Sequence, residues 1–241
     1  MSLSAYPEYK DSGVPWLEAV PSSWAVVPLK HAARVFPSNV DKHSHDGEIP
    51  VRLCNYTDVY YNDRIDGHLD FMEATATTDE IRKFTLRRGD TIITKDSETA
   101  DDIGRSAYVA ASLPGVLCGY HLSVIRPTDR LEGRFIKRLF DSKYLKAVME
   151  VSANGLTRVG LSQYSIDNLD IPLPPISEQI QIADFLDTET AKIDLIVGHQ
   201  NTAKDGPSTG KAAELVRLMT EYRWALITAA VTGKIDVREV S

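Results

Sequence analysis

The chain of 241 residues carries 27 Lys and Arg against 34 Asp and Glu, a formal charge of −7, with 43% hydrophobic and 25% charged side chains. That balance belongs to an ordinary soluble protein and excludes one that coats nucleic acid indiscriminately; any DNA surface must be a local patch on an acidic body. No apolar run is long enough to span a bilayer, and the opening residues lack a basic start followed by an apolar core, so neither a membrane span nor a signal peptide is expected and the cytoplasm is the expected location.

Residues 1–30 are rich in Pro and Trp, and Trp16 and Trp24 are expected to lie packed on the body. The polar stretch 31–50 holds His43 and His45 beside Asp41 and Asp46, but no third ligand at metal-binding spacing, so a surface loop is expected. Val51 to Val59 has the β-branched and aromatic content of a strand, followed by a loop from Tyr60 to Gly67. Thr77 with Glu80 three residues on predicts a capping box and a short helix through Phe84. Arg88-Gly-Asp90 predicts a turn into a buried strand, Thr91 to Thr94, which leaves as a polar loop from Lys95 to Arg105.

Ala107 to Ala110 and Gly119 to Pro127 read as further strands, with Leu113-Pro-Gly as a turn between them. Gly133 to Glu150 has a helical pattern in which Phe135, Leu139, Leu145 and Val148 share one face and basic residues take the other. Asn154 to Gly160 is a glycine-flanked loop. Strands interleaved with short helices predict a mixed α/β (α+β) body with a twisted or barrel-like sheet. Cys54 and Cys118 lie in apolar surroundings without metal-ligand spacing, as buried free thiols do in a reducing compartment.

Pro172, Pro174 and Pro175 forbid a helix through the end of this body. Ser177 then offers an N-cap hydroxyl, and Glu178 places negative charge at the positive end of a helix dipole. Ile182, Leu186, Ile193 and Ile196 follow at a period near 3.5, the spacing of a helix built to lie along another. Gly206, Pro207 and Gly210 interrupt the pattern near 204–210, and Leu215, Leu218, Tyr222 and Leu226 resume it. The sequence therefore divides into a body, 1–175, and a helical coiled-coil arm, 176–241. The body holds 20 basic and 24 acidic side chains (net −4) and the arm 7 and 10 (net −3). The most basic local stretch is 130–158, where Arg130, Arg134, Lys137, Arg138, Lys143, Lys146 and Arg158 outnumber Glu132, Asp141 and Glu150.

Three separated motifs carry a resemblance. Pro172-Leu-Pro-Pro-Ile-Ser-Glu-Gln179, with Phe185-Leu-Asp187 and Thr190-Ala-Lys-Ile-Asp194 after it, resembles the junction between recognition domain and arm in type I restriction-modification specificity subunits. Tyr222 to Arg238 is similar to the way such arms end, and Tyr9 to Leu17 with Val20 to Trp24 is similar to the way their recognition domains begin. Full-length members, as the resemblance implies, carry two target-recognition domains tied by two antiparallel arms; this chain has one of each. The resemblance also implies partners: double-stranded DNA, a methyltransferase (M) subunit using S-adenosylmethionine and a restriction (R) subunit using ATP and Mg, with no cofactor bound by this chain.

The chemistry visible in the residues agrees with a reader of DNA. No Asn-Pro-Pro-Tyr-like segment is present to hold a flipped base, and no Gly-x4-Gly-Lys-Ser/Thr loop to drive a motor. A duplex reader needs cations for phosphates and forked or amide side chains for base edges. The resemblance implies that the loops carrying Lys95, Asp96, Ser97, Arg105, Tyr120, His121, Thr157 and Arg158 face the DNA. The alternatives are a turn cap for Asp96 and Ser97, a satisfied core histidine for His121 and a surface ion pair for Arg158. Two other functions stay open: a recognition fragment of a fused restriction-methylation enzyme, and a pure interaction module. The seam residues Ile182, Leu186, Ile193, Ile196, Leu215, Leu218, Tyr222 and Leu226 are expected to be covered by an intrachain hairpin, by a second copy of the chain, or by both, and a symmetric homodimer is expected.

Overall fold

The computed structural model describes residues 4–201 and 210–238. In chain order, strands β1 (Tyr9–Asp11), β2 (Ala19–Pro21), β3 (Ala25–Pro28), β4 (Ala33–Pro37) and β5 (Ile49–Cys54) lead to helix α1 (Tyr56–Tyr61). Strands β6 (Arg64–Ile65) and β7 (Met72–Ala76) precede helix α2 (Thr78–Phe84). Then come β8 (Thr91–Thr94), β9 (Asp96–Ser97), β10 (Ser106–Val109), β11 (Val116–Cys118) and β12 (Leu122–Pro127). Helices α3 (Gly133–Asp141) and α4 (Lys143–Ser152) follow, then β13 (Val159–Gly160), α5 (Gln163–Asp167) and β14 (Asp170–Leu173). The arm consists of α6 (Ile176–Asn201) and α7 (Lys211–Val231).

A five-stranded sheet in the order β4-β12-β8-β10-β6 separates two cores. Neighbouring residues of a strand point to opposite faces, so Ile92 and Val124 enter one core while Ile93 and Ile125 enter the other. The first core lies against the three-stranded sheet β11-β5-β7 and holds Phe84, Leu53 and Val116. The second holds the helical layer, with Phe135, Phe140, Leu145, Ile182, Leu186 and Leu226. The strand orders are linear, so of the twisted and barrel-like alternatives the described sheets match the open, twisted one.

Local rules hold where a cap or a ring dictates the backbone. Thr77 accepts from the Glu80 amide at 3.3 Å while the Glu80 carboxylate accepts from the Thr77 amide at 2.9 Å, and α2 begins there. Other expectations need correction. The strand expected over Val51 to Val59 ends at Cys54, because Asn55 starts α1 and its amide donates to the Asp58 carboxylate at 2.7 Å. The expected loop from Tyr60 to Gly67 therefore holds the end of α1 and strand β6. The single helix expected over Gly133 to Glu150 is two, since Ser142 takes an extended backbone and caps α4 through Leu145. Lys137 and Arg138 of α3 are buried, so its basic residues do not form a solvated face. Trp24 is fully buried as expected, whereas Trp16 is 63% exposed.

The arm is rooted in the body. Helix α6 begins at Ile176, one residue before the expected cap Ser177, and the Pro175 carbonyl accepts from the Gln179 amide at 3.0 Å. Helix α7 returns beside α6, and its last turn brings Ala230 and Val231 into the body's core. There Gly233 sits against Pro21, where a Cβ would lie 2.3 Å from the ring, and its carbonyl accepts from the Tyr9 hydroxyl at 2.9 Å. The interruption expected at Gly206 and Pro207 lies outside the described residues. No helix among the described residues is long and apolar enough to cross a membrane.

Candidate nucleic-acid interface

Most of the residues singled out in three separate loops meet at one end of the five-stranded sheet. Lys95 joins the buried end of β8 to strand β9 and bonds two neighbouring segments. On one side the Lys95 amide donates to the His121 carbonyl at 3.1 Å; on the other the Leu161 amide donates to the Lys95 carbonyl at 2.8 Å. Strand β13 pairs antiparallel with β9, placing Val159 opposite Ser97 and Gly160 opposite Asp96. The loop 154–160 is closed by Asn154 and Gly160, whose amides donate to each other's carbonyls at 3.1 and 2.9 Å. Gly155 makes this turn with φ +147°, and a Cβ there would lie 2.0 Å from the Arg158 carbonyl.

Side chains follow this frame. Asp96 lies 2.7 Å from His121 Nδ1 and 2.6 Å from an Arg158 guanidinium nitrogen. Tyr120 rests on the His121 ring with centroids 3.8 Å apart and is itself exposed. Lys95 Nζ donates to the Ser38 carbonyl at 3.2 Å. Thr157 is exposed at the loop, and Leu156 beside it is fully so. Two residues stand apart. Ser97 is buried, beside Tyr56 in the wall of a cleft. Arg105 sits across the 97–102 segment, paired with Asp102 at 2.7 Å and 5.1 Å over the Tyr60 ring.

Helix α1, which the sequence reading missed, adds an aromatic face to this end. Tyr56 and Tyr60 stack at 5.6 Å, and Tyr61 projects 77% exposed. Burial pushes the Tyr56 phenol up, partly opposed by its bond to Ser97. Tyr60, Tyr61, Arg105, Lys146 and Trp224 line a cleft of about 350 Å³ between body and arm. Burial holds the Lys146 ammonium below its usual range, reinforced by the nearby Arg105, and it lies 5.1 Å from the Trp224 ring. The signal available in sequence was the Asn55-x-x-Asp58 cap, with Tyr56 inside it and Tyr60 and Tyr61 after it.

Three cations of the basic stretch 130–158 are paired within the chain. Lys137 bonds Asp63 at 2.9 Å and Asp141 at 2.6 Å, Arg138 bonds Asp187 at 2.7 Å, and Arg134 bonds Asp184 at 2.6 Å. These cations join α3 to the acidic side of α6 and to the body, and Arg223 of α7 joins the same network through Asp63 at 2.8 Å. Their charge is spent within the chain. Among the described residues, no group of three His, Cys, Asp or Glu is placed to hold a metal ion, and His45 lies 3.8 Å from Asp41 at the surface.

The seam divides in the same way. Ile182, Leu186, Ile193 and Leu226 are buried within the chain, so the body and the α6–α7 hairpin cover residues expected to reach for a second copy. Farther out, Ile196 is 42%, Leu218 45% and Tyr222 50% exposed, with Leu195 beside them. Leu215 is half-buried.

Comparison with known proteins agrees with this architecture. The family model for the type I restriction modification DNA specificity domain matches residues 43–204. The EcoKI specificity subunit of Escherichia coli K12 is 26% identical over 151 residues, covering 61% of this chain and 29% of that protein. The putative type I restriction enzyme MjaX specificity subunit of Methanocaldococcus jannaschii is 23% identical over 205 residues, covering 84% and 47%. The HsdS subunit from Thermoanaerobacter tengcongensis shares the fold with a TM-score of 0.54 at 19% identity, over 94% of this chain and 48% of that one. The chain thus spans about half the length of these relatives, or less. With two thirds of its residues inside the family model, this chain belongs to the type I restriction-modification DNA specificity domain family.

Proposed function

We propose that this chain is the sequence-reading subunit of a type I restriction-modification complex, recognising one half-site in duplex DNA. The observation that carries this reading is the convergence of the 95–97, 120–121 and 154–158 segments on one sheet end, with donors, an acceptor and aromatics presented together. A rigid frame under short polar loops suits base-edge readout, which needs side chains held at fixed positions. The chain recruits a methyltransferase subunit, which binds S-adenosylmethionine, and a restriction subunit, which uses ATP and Mg. It binds neither cofactor itself.

The outer arm supports a symmetric homodimer. Ile196, Leu218 and Tyr222 remain exposed on adjoining helices, and burying an aliphatic side chain contributes about 1.5–3 kcal/mol. A two-fold pair would read an interrupted palindrome. Mapping methylated motifs in host DNA with and without this chain tests the reading. Loss of one motif with two inverted halves is expected; an unchanged methylation pattern overturns it.

A further inference from the structure

Asp96 stands at the centre of the interface, 18% exposed, with each carboxylate oxygen facing a different side chain. Oδ2 lies 2.7 Å from His121 Nδ1 and Oδ1 2.6 Å from Arg158 Nη2. Oδ1 is buried and has no hydrogen-bond partner, so its charge is met by Arg158 alone. Arg158 has no other ion pair among the described residues, and half of its side chain is open to solvent. Its backbone is fixed too, because Val159 and Gly160 are paired to β9 and Gly155 crosses directly beneath the Arg158 carbonyl.

A guanidinium can serve DNA in two ways. Attraction to a phosphate depends on net charge, and a carboxylate 2.6 Å away removes most of it. Readout of a guanine edge depends on two parallel N–H donors pointing at O6 and N7, and it is strengthened when the fork is held in one orientation. A guanidinium neutralised by Asp96, carried on a backbone held against β9 and half open to solvent at the rim, therefore suits a base edge and suits a phosphate poorly. We propose that Arg158 reads a guanine in the major groove and that Asp96 is the positioning residue that aims it, so this chain's half-site contains a guanine at the position Arg158 reaches. The inference rests on the DNA-reading function proposed above.

The test selects bound duplexes from a DNA library randomised across the whole site, using the complex of this chain with its methyltransferase, as wild type, Arg158→Ala and Asp96→Asn. The wild type should enrich a motif containing a G·C pair whose preference falls by about 5- to 150-fold in Arg158→Ala, with the other positions kept. Asp96→Asn should relax the same position; a merely structural role would weaken all positions together. Arg158 lies on an exposed loop, so its variant decides the matter even where Asp96→Asn folds poorly. Variants that enrich the wild-type motif unchanged, or an Arg158→Ala complex weakened alike on every sequence, overturn the inference and leave the DNA-reading function intact. A wild-type complex that enriches no motif overturns both.

Discussion

The Glu178 carboxylate, in the first turn of the first arm helix, accepts a 3.0 Å hydrogen bond from the buried indole nitrogen of Trp24. The same oxygen accepts from the Tyr6 hydroxyl at 2.5 Å, and burial, reinforced by this carboxylate, pushes the Tyr6 phenol well above its ordinary range. One buried carboxylate thus pins the root of the arm to the N-terminal segment. Glu178→Ala would leave two donors buried without an acceptor, each costing about 1–3 kcal/mol. Glu178→Gln keeps an acceptor and should cost less. Urea denaturation of the full chain should show a lower midpoint at unchanged slope for both, in that order.

Asp63 ties body to arm through Lys137 and Arg223. Burial raises its carboxyl, but the two cations outweigh that and bring it to about 2, from an ordinary 3.8. A carboxyl depressed in this way stabilises the fold above its unfolded value and loses that contribution as pH falls from 3.8 toward 2. Its side chain is 61% exposed, so the effect is modest, about 0–1 kcal/mol. Asp63→Asn should be slightly less stable than wild type at about pH 6, and the two should become equal at about pH 2. A gap that persists in acid would contradict this pairing.

Gly155→Ala tests the loop rather than the fold. The added methyl would meet the Arg158 carbonyl at 2.0 Å, so the 154–160 turn must open. Thermal stability should change little, because the loop is exposed and contributes no core residue between Asn154 and Arg158. DNA affinity of the assembled complex should fall at least ten-fold, on the order of 1.4 kcal/mol. Equal affinity for both proteins would show that the loop takes no part in binding.

The outer arm gives a prediction about assembly. Leu218→Glu with Tyr222→Glu places two charges where an apolar seam is open, at positions 45% and 50% exposed. Light scattering at micromolar concentration should show a dimer for the wild type and a monomer for the double variant, with an unchanged circular dichroism spectrum. A wild-type monomer would rule out pairing through this face.

Salt dependence follows from the cations that remain. Arg134, Lys137 and Arg138 are consumed by carboxylates, so fewer phosphates can be met than the charge of stretch 130–158 suggests. The log–log slope of affinity against salt should therefore be shallower than about −5, the value for roughly six phosphates. A slope of about −5 or steeper would require basic residues outside this interface, or on a partner.

What the sequence by itself determined was whatever depends on neighbours in the chain. Thr77 and Glu80 start a helix because their own atoms satisfy the first-turn amides, and Pro172 to Pro175 exclude one because rings remove donors. The start of a long helix directly after those prolines was legible for the same reason, as was the resemblance carried by the motifs. Helix α1 was not, because Tyr, Thr and Val favour strands and only the Asn55 cap reverses that over six residues. The tertiary structure alone decided where each charge is met. Lys137 and Arg158 look alike in sequence; one is sealed between Asp63 and Asp141, and the other stands at the rim beside Asp96. It also decided that Ile182 and Leu186 serve the body while Leu218 and Tyr222 face outward. A heptad gives a helix one apolar stripe, but what covers each part of that stripe depends on how far the body extends along it.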